Sequence, residues 1–173
     1  RAQGVPIVRP ETRELLKVLV LSYQPKQILE IGTAVGYSSI CMSRYLPKDG
    51  HITTIEKYEP RILEAKRNFE RAGAREQITL LEGDAADLLK ELKGAYDMIF
   101  MDAAKGQYIH FFPEVMRLLS EHGILVSDNV LQDGDILESR YAVEKRNRTI
   151  HSRMREYLYT LKHDDRLETA ILP

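Results

Sequence analysis

Short apolar runs alternate along this chain with longer stretches whose apolar positions recur at helical spacing. "KQILEIG" (26–32) is strand-like, and a helical stretch from Tyr37 to about Leu46 stops at Pro47. "HITTIEK" (51–57) is β-branched and strand-like. "EPRILEAKRNFERAG" (59–73) has Pro60 in its first turn and Gly73 just past its last, as helix ends prefer. "QITLLEGDA" (77–85) reads as strand then turn, and "ADLLKELKG" (86–94) as a short helix closed by Gly94. "YDMIFMDAAKG" (96–106) is a nearly continuous apolar strand with a polar end. A helix over 112–123 precedes a strand over 123–131. A longer helix is expected from about Tyr141 to Lys162, with Ile150, Met154, Leu158 and Leu161 at helical spacing, and "ETAIL" (168–172) reads as a final strand.

Strands alternating with helices predict an α/β, doubly wound, mainly parallel sheet with helices on both faces. The apolar runs 97–101 and 123–126 suit strands buried on both sides. Ligands of such sheets collect outside the carboxyl ends of the strands. Those ends carry Glu30, Gly32 and Gly36; Glu56; Gly83 and Asp84; Asp102 and Lys105; and Asp128 and Asn129. Five polar or glycine-bearing ends on one edge predict an active-site crevice.

With 173 residues and neither repeat nor linker, a single domain over 1–173 is expected. No run of about 18 apolar residues is present, so no membrane span is expected. The opening residues lack the pattern of a signal peptide, and Cys41 is the only cysteine, which excludes an intrachain disulfide and a cysteine-rich zinc site. A cytoplasmic setting is the expectation. A net charge of -1 gives no global attraction to nucleic acid.

The turn Glu30-Ile31-Gly32-Thr33-Ala34-Val35-Gly36 has no lysine after Gly36, which argues against triphosphate chemistry. Ala34 occupies the position where a dinucleotide fingerprint has its middle glycine, which argues against a pyrophosphate ligand. Glu56, at the end of the second strand, can accept hydrogen bonds from both hydroxyls of a ribose, and "EGDA" can meet an adenine. S-adenosylmethionine has ribose, adenine and an amino-acid head without phosphates. Taken singly, the glycines also fit a plain tight turn and Glu56 a solvated strand-end acid; three strand ends in register favour the ligand.

Asp102, Asp128 and Asn129 form an all-oxygen donor set suited to Mg²⁺, Mn²⁺ or Ca²⁺. Lys105 stands three residues after Asp102, placed to take a proton from a hydroxyl acidified by such a cation. Read alone, Asp128-Asn129 is more simply a turn pair, Asp102 a helix cap and Lys105 an exposed lysine.

Together, "ILEIGTAVGYSS…TIEK…EGDA…MDAAKGQY…SDNVL" resembles the metal-dependent O-methyltransferases of the catechol and caffeoyl-CoA type, over most of the chain. The resemblance implies a Rossmann-like methyltransferase sheet, here without the family's further N-terminal helices and its last C-terminal strand. It implies metal binding by Asp102, Asp128 and Asn129, and Lys105 as catalytic base with Asp102 beside it. It implies S-adenosylmethionine contacts at Gly32, Ala34, Gly36, Ser38, Glu56, Gly83, Asp84, Ala85 and Asp102. Substrate contacts would fall at Lys105, Tyr108 and Asn129, and the assembly would be a homodimer.

"DAAKGQY", "DNVL" and the Arg-rich helix most resemble the bacterial tRNA 5-hydroxyuridine O-methyltransferases, which implies methylation of the wobble base to 5-methoxyuridine. The catechol-type enzymes carry an aromatic where this chain has Ala103-Ala104, so a roomier pocket is expected, compatible with a flipped nucleobase. Arg140, Lys145, Arg146, Arg148, Arg153, Arg155 and Lys162 against Glu144 and Glu156 could meet phosphates, or form the solvated face of a helix. The alternative acceptor is a small catechol-like or caffeoyl-type phenol. An NAD-dependent dehydrogenase and a non-catalytic binding domain complete the alternatives.

Overall fold

A computed structural model describes residues 7–137, 139 and 144–172, with backbone alone at 133 and 135. Among these residues five strands, β1 (Gln27–Ile31), β2 (His51–Glu56), β3 (Ile78–Glu82), β4 (Tyr96–Met101) and β5 (Leu119–Ser127), form a parallel sheet in the order β3-β2-β1-β4-β5. The order reverses between β1 and β4, and there Ile31 stands opposite Met101. The residues just beyond them, Gly32 and Asp102, therefore flank the switch point, where open sheets leave a crevice.

Among the described residues, six α-helices flank the sheet: α1 (Pro10–Tyr23), α2 (Tyr37–Ser43), α3 (Glu59–Arg71), α4 (Ala85–Glu91), α5 (Tyr108–Leu118) and α6 (Arg148–His163). Side-chain alternation along the strands divides the core. Ile28 of β1 and Met98 and Phe100 of β4 pack with Leu16, Val20, Met42, Ala65 and Phe69 under α1–α3. Leu29, Ile31, Ile99 and Met101 pack with Leu89, Phe111, Phe112, Val115, Met154 and Tyr157 under α4–α6. Burying each such large side chain stabilises the fold by about 2 kcal/mol. The described helices include none long and apolar enough to cross a membrane.

Elements β1–β4 and α2–α4 match the pattern analysis to within a few residues at each end. The differences have physical causes. No helix was expected over Pro10–Tyr23, because its apolar residues do not confine themselves to one face: Leu16 and Val20 are buried while Val18 and Leu21 are exposed. Helix α5 starts at Tyr108, four residues before the expected start at Phe112, because the 3-10 turn Lys105–Gln107 runs directly into it and Pro113 is carried inside the helix. Strand β5 starts at Leu119 where a helix end was expected. Ser120–Gly123 bulge out between the pairs Tyr96–Leu119 and Met98–Ile124, and the Ser120 hydroxyl donates to the Tyr96 carbonyl at 3.0 Å.

Helix α6 follows a 3-10 turn at Lys145–Asn147 and ends at His163; the expected start near Tyr141 lies outside the described residues, as does Arg140. Residues 168–172 are not a strand. They are exposed, pair with no strand among the described residues, and are tied back by the Thr169 hydroxyl on the Leu161 carbonyl at 3.0 Å.

Candidate functional site

Beyond the ends of β1 and β4 the chains approach so closely that position 32 must be glycine. Gly32 has φ +106°, and a Cβ there would overlap the Asp102 carbonyl. Two residues on, Ala34 is also left-handed, at φ 47°. Its N–H donates to Glu56 Oε2 at 2.9 Å, while Glu56 Oε1 accepts from the N–H groups of Lys57 and Tyr58, both at 3.0 Å. Glu56 thus ties the first loop to the second.

Beneath the turn lies a buried polar knot. Ser38 and Ser39 at the start of α2 both donate to the Glu30 carboxylate, joined by Thr54 at 2.5 Å; Thr54 also meets Thr33 at 2.6 Å. Glu30 is fully buried, and desolvation raises its pKa to about 7 against the relief given by the hydroxyls.

The third strand contributes Gly83 and Asp84. Asp84 caps α4 by accepting from the Ala86 N–H at 2.9 Å, and it pairs with Lys57 at 3.1 Å. The Ala86 bond and then the lysine hold its carboxyl below the usual range.

At the ends of β4 and β5, Lys105 Nζ donates to Asp102 Oδ1 and to the Tyr108 hydroxyl, each at 2.9 Å. Tyr108 is fully buried; its hydroxyl lies 2.8 Å from the Met101 carbonyl and 3.3 Å from that of Asp128. Desolvation first, then the charges of Asp102 and Asp128, drive its pKa well upward, so the phenol keeps its proton. Asp128 Oδ1 accepts from the Thr12 hydroxyl at 3.0 Å, and Asn129 sits in a left-handed turn at φ 54°.

One cavity of about 750 Å³ gathers both groups. Gly32, Ala34, Glu56, Gly83, Asp84 and Ala85 line it together with Asp102, Lys105, Asp128 and Asn129. Ala103 and Ala104 also line it. Gly36, Ser38 and Tyr108 do not: Gly36 opens α2, Ser38 turns to Glu30, and Tyr108 supports Lys105 from below.

The chemistry of the donors can be read from this lining. No group of three or more His, Cys, Asp or Glu able to hold a metal occurs among the described residues. The strand-end set is two carboxylates and an amide oxygen, which fits a hard divalent cation that keeps further positions for water or substrate. The glycine turn, Glu56 and Asp84 fit an adenosine with an amino-acid head.

The sequence profile of the family described as O-methyltransferase matches residues 5–173. The chain belongs to the O-methyltransferase family. It is 40% identical over 142 residues to a catechol O-methyltransferase of Niastella koreensis, which covers 78% of this chain and 64% of that protein. It is 28% identical over 173 residues to a caffeoyl-CoA O-methyltransferase of Stellaria longipes, covering 95% of this chain and 70% of the relative. The crystal structure of an O-methyltransferase from Bacillus cereus in complex with SAH superposes with a TM-score of 0.85 at 26% identity, covering 95% of this chain and 75% of that one. The chain thus spans just under two thirds of the Niastella protein's length.

Around this candidate site the sequence reading missed Thr12, Lys57 and Phe111. Thr12 reaches Asp128 from 116 residues away, and no local spacing signals that. Lys57 directly follows Glu56, so its place beside the cavity was open to inference from the strand end; Phe111 lies one helical turn beyond Tyr108's neighbour Gln107, and both line the cavity.

Proposed function

We propose that this chain is an S-adenosylmethionine- and divalent-metal-dependent O-methyltransferase acting on small catechol-like phenols. The observation that carries the reading is the single cavity holding Gly32, Ala34, Glu56 and Asp84 on one side and Asp102, Lys105, Asp128 and Asn129 on the other. The names of the Niastella and Stellaria relatives support the acceptor class.

Asp102, Asp128 and Asn129 would hold the cation, whose charge favours the ionised form of an acceptor hydroxyl, while S-adenosylmethionine supplies an electrophilic methyl group. Lys105 moves the proton: in its neutral form Nζ accepts it from the acceptor hydroxyl, and the resulting ammonium is held by Asp102 Oδ1 and the Tyr108 oxygen at 2.9 Å. Glu56 binds the ribose hydroxyls, the backbone of Gly32 and Ala34 lies against the methionine portion, and Gly83, Asp84 and Ala85 flank the adenine. The small side chains of Ala103 and Ala104 leave room for the acceptor ring.

A second acceptor, 5-hydroxyuridine at the wobble position of tRNA, is favoured by that same room, since its neighbouring oxygens resemble a catechol pair. The basic stretch gives it less support than its composition suggests. Arg153 and Arg155 donate to the carbonyls of Gly106 and Ile136, both at 3.3 Å, and Arg146 pairs with Glu144 at 2.7 Å. Labelled S-adenosylmethionine offered with caffeic acid and with hypomodified tRNA separates the two. Methylated caffeic acid is the expected product; label only in the tRNA would transfer the assignment to the second acceptor. Calorimetric binding of NAD without S-adenosylmethionine would overturn both.

A further inference from the structure

A second concavity, of about 630 Å³, opens on the α1–α3 face, where three helices turn cations toward one space. Helix α1 contributes Arg13 and Lys17, the end of α2 contributes Arg44, and α3 contributes Arg71. Glu14 is the one carboxylate in the lining, and Arg13 and Lys17 share it at 2.7 and 3.7 Å. Arg44 and Arg71 are exposed and have no ion pair among the described residues. Elsewhere on this surface exposed cations do find acids, as in Lys26–Asp49 at 2.6 Å and Lys66–Glu82 at 2.5 Å.

We infer that this concavity is an anion-binding site for the phosphate groups of a ligand, separate from the methyl-donor cavity. Four cations against one acid repel one another until an anion enters, and a guanidinium fork matches phosphate oxygens in pairs. Aromatic surface is present as well: Lys17 Nζ lies 5.4 Å from the centre of the Tyr45 ring, and the Tyr37 hydroxyl accepts from Arg13 Nη1 at 3.2 Å. The volume is in the range that holds a group of nucleotide size. Ile7 lines this concavity and the larger cavity alike, so a ligand seated here lies next to the reaction site. The phosphate has two possible sources, a small phosphorylated molecule or a nucleic-acid strand, and the site's chemistry is common to both. The inference does not depend on the identity of the methyl acceptor.

The test is calorimetric titration of inorganic pyrophosphate, in metal-free low-salt buffer, into the full chain and into Arg44→Gln/Arg71→Gln. Lys48→Gln/Lys93→Gln, which removes the same charge from exposed positions elsewhere, is the control. Circular dichroism and S-adenosylhomocysteine binding verify that each variant is folded. The expected result is a loss of at least tenfold in pyrophosphate affinity in the arginine variant and less than twofold in the lysine variant. A parallel titration with a short uridine-rich RNA identifies the source. Tighter RNA binding, steeply weakened by salt and lost with the two arginines, indicates a strand; RNA binding no tighter than pyrophosphate indicates a small phosphorylated ligand. Absence of pyrophosphate binding, or equal affinity in the full chain and the arginine variant, would overturn the inference.

Discussion

The Thr12 hydroxyl donates a 3.0 Å hydrogen bond to the Asp128 carboxylate, tying the first turn of α1 to the end of β5. A group that orients a metal-binding carboxylate commonly changes metal affinity 10- to 100-fold on removal. Thr12→Val is therefore expected to weaken Mn²⁺ binding about tenfold in a titration followed by electron paramagnetic resonance. Thr12→Ser should restore most of it. Equal Mn²⁺ affinity in all three proteins would show that Asp128 needs no such support.

Gly32→Ala addresses the close approach of the first and fourth strand ends. The new Cβ meets the Asp102 carbonyl in a left-handed backbone, so the loop or β4 has to shift. A destabilisation of about 2–3 kcal/mol in urea unfolding is expected, together with loss of S-adenosylhomocysteine binding. Wild-type stability in this variant would mean that the two loops are less tightly apposed.

Glu30 makes the fold pH-dependent. Its carboxyl titrates at about 7 in the native protein against a reference of 4.5, so between those values the unfolded chain releases a proton that the folded chain keeps. Its contribution to stability is complete below pH 4.5 and is lost as pH rises toward 7. A change on the order of 3 kcal/mol follows across that window. Glu30→Gln has no such titration, so the stability difference between the two proteins should shift by that amount in urea unfolding at pH 4.5 and pH 8. Parallel profiles would show that Glu30 is ionised throughout.

Tyr108→Phe removes the hydroxyl that accepts from Lys105 and contacts the Met101 and Asp128 carbonyls. The lysine then loses one of its two anchors. Steady-state kinetics are expected to show kcat lowered about tenfold, with little change in the KM for S-adenosylmethionine. A selective rise in that KM would instead place Tyr108 in methyl-donor binding.

The alternating architecture and the strand-end residues were legible because buried parallel strands are short apolar runs that stop at polar residues. Glu56, Gly83 and Asp84 joined Asp102, Lys105, Asp128 and Asn129 in one cavity for that reason. Helix α1 was not legible, since Val18 and Leu21 are apolar yet exposed and blur its stripe. Pro113 and Gly123 misled in the same way: both are ordinary helix punctuation, but here one lies within α5 and the other in a bulge of β5. Ser38 has the right position in sequence for a ligand contact, while the helix that Gly36 precedes turns its hydroxyl to Glu30.

The most direct test of the proposed chemistry follows methyl transfer from labelled S-adenosylmethionine to caffeic acid in the presence of Mg²⁺, for the full chain and for Lys105→Ala. The account predicts a methoxy product from the full chain that disappears with EDTA. It also predicts a rate reduced at least 100-fold in Lys105→Ala, whose S-adenosylhomocysteine affinity should be unchanged. Undiminished methyl transfer in Lys105→Ala, or transfer indifferent to EDTA, would contradict it.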